Sequence, residues 1–414
     1  MKRNLQNLSG YAWVVVALLW PVAMLNYLDR QMVSTVRASI RADIPTIIND
    51  QEFGTLMAVF MWVYAFLSPL GGFVADKFNR RWTVIGSLLV WSAVTWATGH
   101  ATTYSQMLWF RALMGISEAF YIPAALALIA DFHTGNTRAR AVGIHQSGIY
   151  AGLALGGVGG YIAQTSSWRN CFTWFGAAGV IYSVVLILAL RDAAGTAGAD
   201  GRNKPSVTVG ETLRSLWLRP AFWILVIYFT LPAIAGWVTK NWLPTYLADT
   251  FQLKEGPAGL SATGYIQLAS FAGVLLGGVV ADWWMRATLR GRIYTSAVGV
   301  LLMVPALLGM GWAWSLGAAI LFMILFGIGW GFFDCNNMPI LCQIARPEHR
   351  ATGYGFMNFV SISIGAGATV VLGWMRDQGI KFSVAFAASA AVALLSAGLI
   401  LLVRPRHEPE WAGR

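Results

Sequence analysis

The chain has 414 residues, of which 57% are hydrophobic and only 11% charged, where a soluble domain carries about 25% charged residues. That shortfall excludes an ordinary water-soluble protein, because much of the surface must face something other than water. The formal net charge is +11, yet no contiguous basic face of the kind nucleic acid requires can be traced, so no nucleic-acid partner is expected.

About 20 consecutive apolar residues cross a bilayer core, and the sequence predicts twelve such spans, near 12–36, 53–76, 82–101, 104–130, 140–163, 170–190, 220–248, 260–283, 293–312, 315–342, 352–375 and 382–403. Lys2 and Arg3 precede the first span, but its length and its Asp29 and Arg30 argue for a retained helix over a signal peptide. The second span ends in Gly72-Phe-Val-Ala-Asp76-Lys77-Phe-Asn79-Arg80-Arg81. The fourth carries Arg111, Gly115, Glu118 and Pro123, with Asp131 at its inner end. The fifth begins with His145, Gln146 and Ser147, then runs through Gly148, Gly152, Gly156, Gly157 and Gly160, a small-x3-small spacing that predicts close packing on another helix. Segment 191–219, rich in Gly, Ala, Asp and Lys, reads as a cytoplasmic linker between an N-terminal bundle, 1–190, and a C-terminal one, 220–414. Lys240 lies late in the seventh span, where it either adds a positive contact for a ligand or, the favoured reading, snorkels to the interface. Asp334, Asn336 and Asn337 fall in the tenth span and Asn358 in the eleventh. Cys171, Cys335 and Cys342 all fall in spans and read as small buried apolar residues.

The halves repeat one another. Gly72-Phe-Val-Ala-Asp76 is echoed by Gly278-Val-Val-Ala-Asp282, and Arg140-Ala-Val-Gly143 by Arg350-Ala-Thr-Gly353, at nearly the same separation. Two matches in register argue for a duplicated six-helix unit. With the N-terminus inside, the inner loops hold Lys77, Arg80, Arg81, Arg138, Arg140 and Arg286 among others, and the outer loops hold chiefly Arg41, Arg169, Lys254 and Lys381. That positive-inside asymmetry places both termini in the cytoplasm.

Charges inside spans carry the chemistry, since each costs roughly 2.5–3.5 kcal/mol to insert and usually faces a cavity. Arg111 and Glu118 are two helical turns apart and share a face. A guanidinium pairs bidentately with a carboxylate, and a carboxyl group in a partly dry cavity can exchange a proton near neutral pH. Arg30, Arg111, Asp29 and Glu118 therefore suit an anion site with a proton site built in; the competing reading is an ion-pair network that locks the first and fourth spans. His145 reads as a packed histidine, and Asp334 as a titrating or gate group or half of a structural pair. The five histidines are scattered and no metal or nucleophile spacing occurs, so neither an enzyme nor a metal site is expected.

The Gly72–Arg81 segment resembles the loop signature of the major facilitator superfamily, which has Gly where this chain has Asn79; Asn tolerates the left-handed backbone better than most residues. Resemblance implies an all-α membrane protein, two pseudo-symmetric six-helix bundles in the major facilitator fold, with Gly72, Asp76, Arg80, Asp131 and Asp282 acting at the gate. Asp76 would face a helix N-terminus and Arg80 would meet Asp131, or the loop cations would only set topology. Tyr27-Leu-Asp29-Arg30, Arg111-x3-Gly-x2-Glu118-Ala-x3-Pro123, Trp242-Leu-Pro-Thr-Tyr246-Leu and Gly355-Phe-Met-Asn358-Phe, with Gly54, Phe60, Tyr64, Gly71 and Gly72, are similar to the anion:cation symporter family. That resemblance implies proton-coupled symport of a small organic anion, a sugar acid or aromatic acid, by alternating access. It puts Arg30 and Arg111 on the substrate carboxylate, Asp29 and Glu118 in proton coupling, and Tyr64 and Asn358 in the cavity, with Tyr27 and Gln146 as further candidate contacts. Spinster-type lipid transporters share the Asp-Arg and Arg…Glu-Ala pattern, so a lipid or amphiphile exporter, or a proton antiporter, is the alternative. No cofactor is expected beyond protons as the coupling ion; the expected setting is the bilayer of the inner cell membrane, as a monomer.

Overall fold

The computed structural model describes residues 2–133, 137–192, 216–346 and 349–405, and among them every regular element is a helix. In chain order these are α1 (Lys2–Thr35), α2 (Arg37–Asp43), α3 (Asp50–Lys77), α4 (Arg80–Thr98), α5 (Tyr104–Glu118), α6 (Tyr121–Phe132), α7 (Arg138–Leu155), α8 (Val158–Thr165) and α9 (Trp168–Ala189). Then follow α10 (Pro220–Phe251), α11 (Glu255–Met285), α12 (Gly291–Gly311), α13 (Leu316–Asp334), α14 (Asn337–Cys342), α15 (Arg350–Asp377) and α16 (Phe382–Ile400). Ten spans among the described residues are long and apolar enough to cross a membrane. The expected third and fifth spans correspond to α4 and to α7 with α8; Arg80 and Arg81 in the one, and Arg138, Arg140, His145 and Gln146 in the other, dilute their apolar character. Most of the expected linker, 191–219, lies outside the described residues.

Two compact units form. Unit 1 comprises Met1–Ile48, Val59–Lys204 and Lys254–Leu260; unit 2 comprises Asn49–Ala58, Pro205–Leu253 and Ser261–Arg414. The start of α3 thus packs within unit 2 and the start of α11 within unit 1. A carboxylate fixes each. In unit 2 the Asp377 carboxylate accepts from the backbone N–H of Asp50 at 2.8 Å and of Gln51 at 2.9 Å, the orphan donors of a helix N-terminus. Arg376 pairs there with Asp50 and Asp249, each at 2.7 Å. In unit 1 the Glu255 carboxylate accepts from Ser39 through its backbone N–H at 2.9 Å and its hydroxyl.

Helix packing in unit 1 follows the predicted glycine stripe. Gly148 and Gly152 of α7 lie against the α1 backbone, where a Cβ on Gly152 would come within 2.1 Å of the Met24 carbonyl oxygen. Backbone that close leaves no room for a side chain. Gly152→Val should therefore force α1 and α7 apart and destabilise the protein by at least the 1–3 kcal/mol typical of overpacking, read as a lowered unfolding temperature in detergent. An unchanged unfolding temperature would show that α1 and α7 do not pack this closely.

Two spans are broken by proline chemistry. Pro123 has no N–H to offer the carbonyl of Ala119, and the helix breaks between α5 and α6 just there. Pro339 denies a donor to Cys335 in the same way, and the break falls between α13 and α14. Trp242 is 1% exposed and donates its indole N–H to the Thr369 carbonyl at 3.0 Å. Tyr246 donates to the Met310 carbonyl. The Trp-Leu-Pro-Thr-Tyr motif is thus interior packing of unit 2. Asn79 is not left-handed: its backbone is extended, φ −61° and ψ 116°, and its side chain caps α4 by accepting from the Trp82 N–H at 3.0 Å. The departure from glycine is accounted for by that cap.

Candidate functional site

Four helices of unit 1 bring one polar cluster together. The C-terminal third of α1 presents Asn26, Tyr27, Asp29 and Arg30; α5 presents Arg111 and, at its last residue, Glu118. Phe60 and Tyr64 stand one turn apart on α3, and Thr95 comes from α4. Gly115 lets α3 approach α5: a Cβ there would lie 2.8 Å from the Phe60 carbonyl oxygen.

Arg30 Nε donates to Glu118 Oε2 at 2.5 Å. Its guanidinium lies 4.3 Å from the Tyr64 ring centroid, 4.4 Å from Tyr27 and 5.1 Å from Phe60. Arg111 stacks on the same Phe60 ring at 4.7 Å and lies within electrostatic reach of Glu118, Arg30 and Asp29. One ring therefore separates and shields two like charges, while each cation keeps its attraction to a π-face. Thr95 donates to Asp29 Oδ2 at 3.3 Å. The Asn26 amide faces Glu118 without forming a well-shaped hydrogen bond.

Burial is nearly complete. Asn26 and Glu118 are 0% exposed, Asp29 2% and Arg111 3%. Asp29 Oδ1, Glu118 Oε1, one terminal nitrogen of Arg30 and both polar atoms of Asn26 have no hydrogen-bond partner in the protein. Buried polar atoms are nearly always partnered, so their convergence sets this cluster apart from ordinary interior packing. The four charges balance when both acids are ionised. One added proton leaves the cluster a net cation.

The expected residues divide accordingly. Arg30, Arg111, Asp29, Glu118, Tyr27 and Tyr64 come together. Gln146 is exposed on α7 of the same unit, and Asn358 is half-buried on α15 of unit 2. The expected Arg80–Asp131 ion pair forms. Asp282 pairs with Arg292 at 3.0 Å at the surface of unit 2. The surroundings of Gly72 and Asp76 lie outside the described residues. His145 is fully buried, with Nε2 2.9 Å from the Tyr121 hydroxyl, which itself donates to the Leu19 carbonyl at 3.1 Å; it is a packed histidine. Among the described residues no cluster of three or more His, Cys, Asp or Glu could hold a metal. Lys240 does not snorkel. Its ammonium sits 4.2 Å from the Trp330 ring centroid and 5.5 Å from Trp237.

Sequence reasoning did not single out Asn26, Phe60 or Thr95 for roles in the site. Phe60 had a usable signal, because it stands four residues before Tyr64 on the same helix face. Thr95 had none beyond a hydroxyl in an apolar span.

A model described as Major Facilitator Superfamily matches residues 8–370. The D-galactonate transporter of Escherichia coli O6:H1 is 26% identical over 414 residues, covering 94% of this chain and 95% of that one. Protein spinster of Drosophila melanogaster is 24% identical over 316 residues, covering 74% of this chain; the matched region is 52% of that relative's length. The crystal structure of a bacterial homolog of the human lysosomal transporter spinster, inward-facing and unoccupied, superposes with a TM-score of 0.75 at 19% identity over 95% of each chain, a likeness of fold.

Proposed function

We infer from the Major Facilitator Superfamily, to which this chain belongs, and from the charge cluster of unit 1, that the protein couples an organic anion to protons in symport. The coarser statement needs no proposal: the chain is a multi-pass membrane transporter and not an enzyme. The finer reading rests on one observation, the buried Arg30–Glu118 pair set beside Arg111 and Asp29. With both acids ionised, Arg30 is occupied by Glu118. Protonation of Glu118 releases the guanidinium, and a carboxylate takes its place. Two unit charges about 4 Å apart interact by about 4 kcal/mol at an effective dielectric of 20. A proton on Glu118 therefore strengthens anion binding by about a thousandfold. That linkage is coupling, since a ligand shifts a conformational equilibrium only through its differential affinity.

In this reading Arg30 and Arg111 hold the carboxylate, Tyr27 and Tyr64 fix the guanidinium, and Gln146 serves a substrate hydroxyl. Asp29 and Glu118 carry the proton, and no cofactor takes part. Gly72, Asp76, Arg80, Asp131 and Asp282 act in gating. The substrate is a small carboxylate of the sugar-acid type, in keeping with the likeness to the D-galactonate transporter of Escherichia coli. The protein works as a monomer in the inner cell membrane, with both termini in the cytoplasm. A thermal-shift series on purified protein tests the substrate class. Sugar acids should raise the unfolding temperature and their methyl esters should not. Stabilisation by esters or long-chain amphiphiles in preference to the free acids would replace this reading with a spinster-like exporter, the second reading that the fly relative and the superposed fold support.

A further inference from the structure

Asn26 sits in the charge cluster of unit 1 with its amide unspent. Its side chain is 0% exposed, and neither Nδ2 nor Oδ1 has a hydrogen-bond partner in the protein. Gln31, five residues further along the same helix and also buried, behaves as buried amides ordinarily do: its Nε2 donates to Ser34 Oγ at 2.8 Å. Burying an amide with both ends unpaired costs free energy, whereas an apolar side chain of the same shape fills the space without that cost. Leucine has that shape. An amide so placed is therefore explained by chemistry better than by packing.

Asn26 precedes Arg30 by four residues and Asp29 by three, which puts it on the face of α1 that meets the cluster. Its amide faces Glu118. Glu118 Oε2 is taken by Arg30 Nε at 2.5 Å, while Oε1 has no partner. The charged and titratable groups around this pair are Asp29 and Tyr27 on α1, Tyr64 on α3 and Arg111 on α5. Helix α4 contributes hydroxyls that are already spent, Thr95 on Asp29 at 3.3 Å and Ser87 on the Ser117 carbonyl at 2.5 Å. Helices α6 and α7 contribute Tyr121 and His145, which are bonded to each other. A guanidinium only donates, and an ionised carboxylate only accepts. An amide does both, and a half-turn about χ2 exchanges its two ends.

We propose that Asn26 is a positioning residue that serves Glu118 in both protonation states, turning its amide over when the proton arrives. The proposal rests on the reading of Glu118 as the proton carrier. With Glu118 ionised, Asn26 Nδ2 donates to Oε1. Arg30 holds Oε2, so the incoming proton settles on Oε1 and makes it a donor. Asn26 Oδ1 then accepts from that hydroxyl, and Arg30 departs without stranding a bare polar group in the span. The bond to the carboxylate is charge-assisted and about twice as strong as the neutral bond that replaces it. Asn26 therefore holds the ionised form more firmly, and the proton leaves more readily than it would without the amide.

Infrared difference spectra of the full-length protein in detergent, recorded across pH without substrate, test this. The protonated-carboxyl band that grows on acidification of wild type and is missing from Glu118→Gln reports Glu118. In Asn26→Leu that band should appear at a pH about one unit higher, the difference between a hydrogen bond to a charged group and one to a neutral group. The sign follows because an acid whose ionised form loses the stronger contact keeps its proton to higher pH. The band should also move to the frequency of a carboxyl group free of hydrogen bonds. Wild type supplies a second reading that needs no variant at position 26: a side-chain amide band should shift in step with the Glu118 band and stay still in Glu118→Gln. That reading decides the matter if Asn26→Leu unfolds. A midpoint that is unmoved or lowered in Asn26→Leu, or an amide band that stays still in wild type, overturns the role of Asn26 and leaves Glu118 as the proton carrier. Absence from wild type of any titrating carboxyl band that Glu118→Gln removes overturns the proton role of Glu118 and this proposal with it.

Discussion

Glu118→Gln is expected to abolish accumulation of substrate driven by a pH gradient in proteoliposomes while leaving counterflow exchange in place. The amide matches the carboxyl group in shape and still accepts a hydrogen bond from Arg30, which Glu118 meets at 2.5 Å. It cannot take up or release a proton. With Arg30 and Arg111 charged and Asp29 ionised, the variant cluster carries one net positive charge, as wild type does only when a proton is bound. Substrate affinity should therefore lose the part of its pH dependence that belongs to Glu118 and stay near the wild-type value at acid pH. In wild type that dependence should approach the thousandfold that follows from about 4 kcal/mol of coupling. Counterflow needs only movement of the loaded carrier and survives. Accumulation equal to wild type would remove Glu118 from the coupling reaction.

Arg30→Gln should have the largest effect on binding and also separates a binding role from a structural one. Truncating one partner of a buried hydrogen-bonded charge pair costs about 2–5 kcal/mol in ligand affinity, which is about thirtyfold to several thousandfold. It also leaves Glu118, 0% exposed, without its cation, and a broken buried pair destabilises by about 3–5 kcal/mol. The double variant Arg30→Gln with Glu118→Gln removes both charges and should recover most of the stability. It should recover neither binding nor uptake. Lys at position 30 keeps the charge but loses the planar fork stacked between Tyr27 and Tyr64, so it should bind with intermediate affinity. If the pair only locks α1 to α5, the double variant should transport at the wild-type rate. Unfolding temperature, binding and uptake measured on the three variants discriminate the two roles.

The site was legible in the sequence to the extent that charge is conspicuous in apolar surroundings. Asp29, Arg30, Arg111 and Glu118 stand out because nothing else in the first and fourth spans is charged, and opposite charges in a membrane must find each other. That logic joins Arg30 to Glu118 across 88 residues of separation. It also joins Arg80 to Asp131. The small-x3-small stripe named α7 as a packing helix and left its partner, α1, to the structure.

What stayed hidden depends on distance in space without a chemical signal in sequence. Phe60 separates two arginines, yet its place in a family-like pattern and one turn before Tyr64 does not by itself say what its ring covers. The chain holds 20 tryptophans, which composition assigns to membrane interfaces, so nothing set Trp330 apart as a cover for Lys240. Lys240 itself was placed at the interface because a long flexible side chain usually escapes there; two indoles resting on Gly236 and Gly365 make staying inside the better choice. The helix breaks at Ala119 and Cys335 were not foreseen, since membrane helices often tolerate proline. Yet those breaks place Glu118 and Asp334 at corresponding helix ends.

The central claim is that one proton enters with the anion, and the direct measurement is the pH inside the vesicle. Purified protein is reconstituted into vesicles that enclose a pH-sensitive dye, with equal pH on both sides and the membrane potential clamped. The sugar acid that raises the unfolding temperature most is then added outside. Symport predicts acidification of the lumen at the rate of labelled substrate uptake, and predicts that Glu118→Gln takes up fewer protons per substrate than wild type. Uptake of substrate with an unchanged lumen, or with alkalinisation of it, would contradict proton symport, the second result being that of an antiporter.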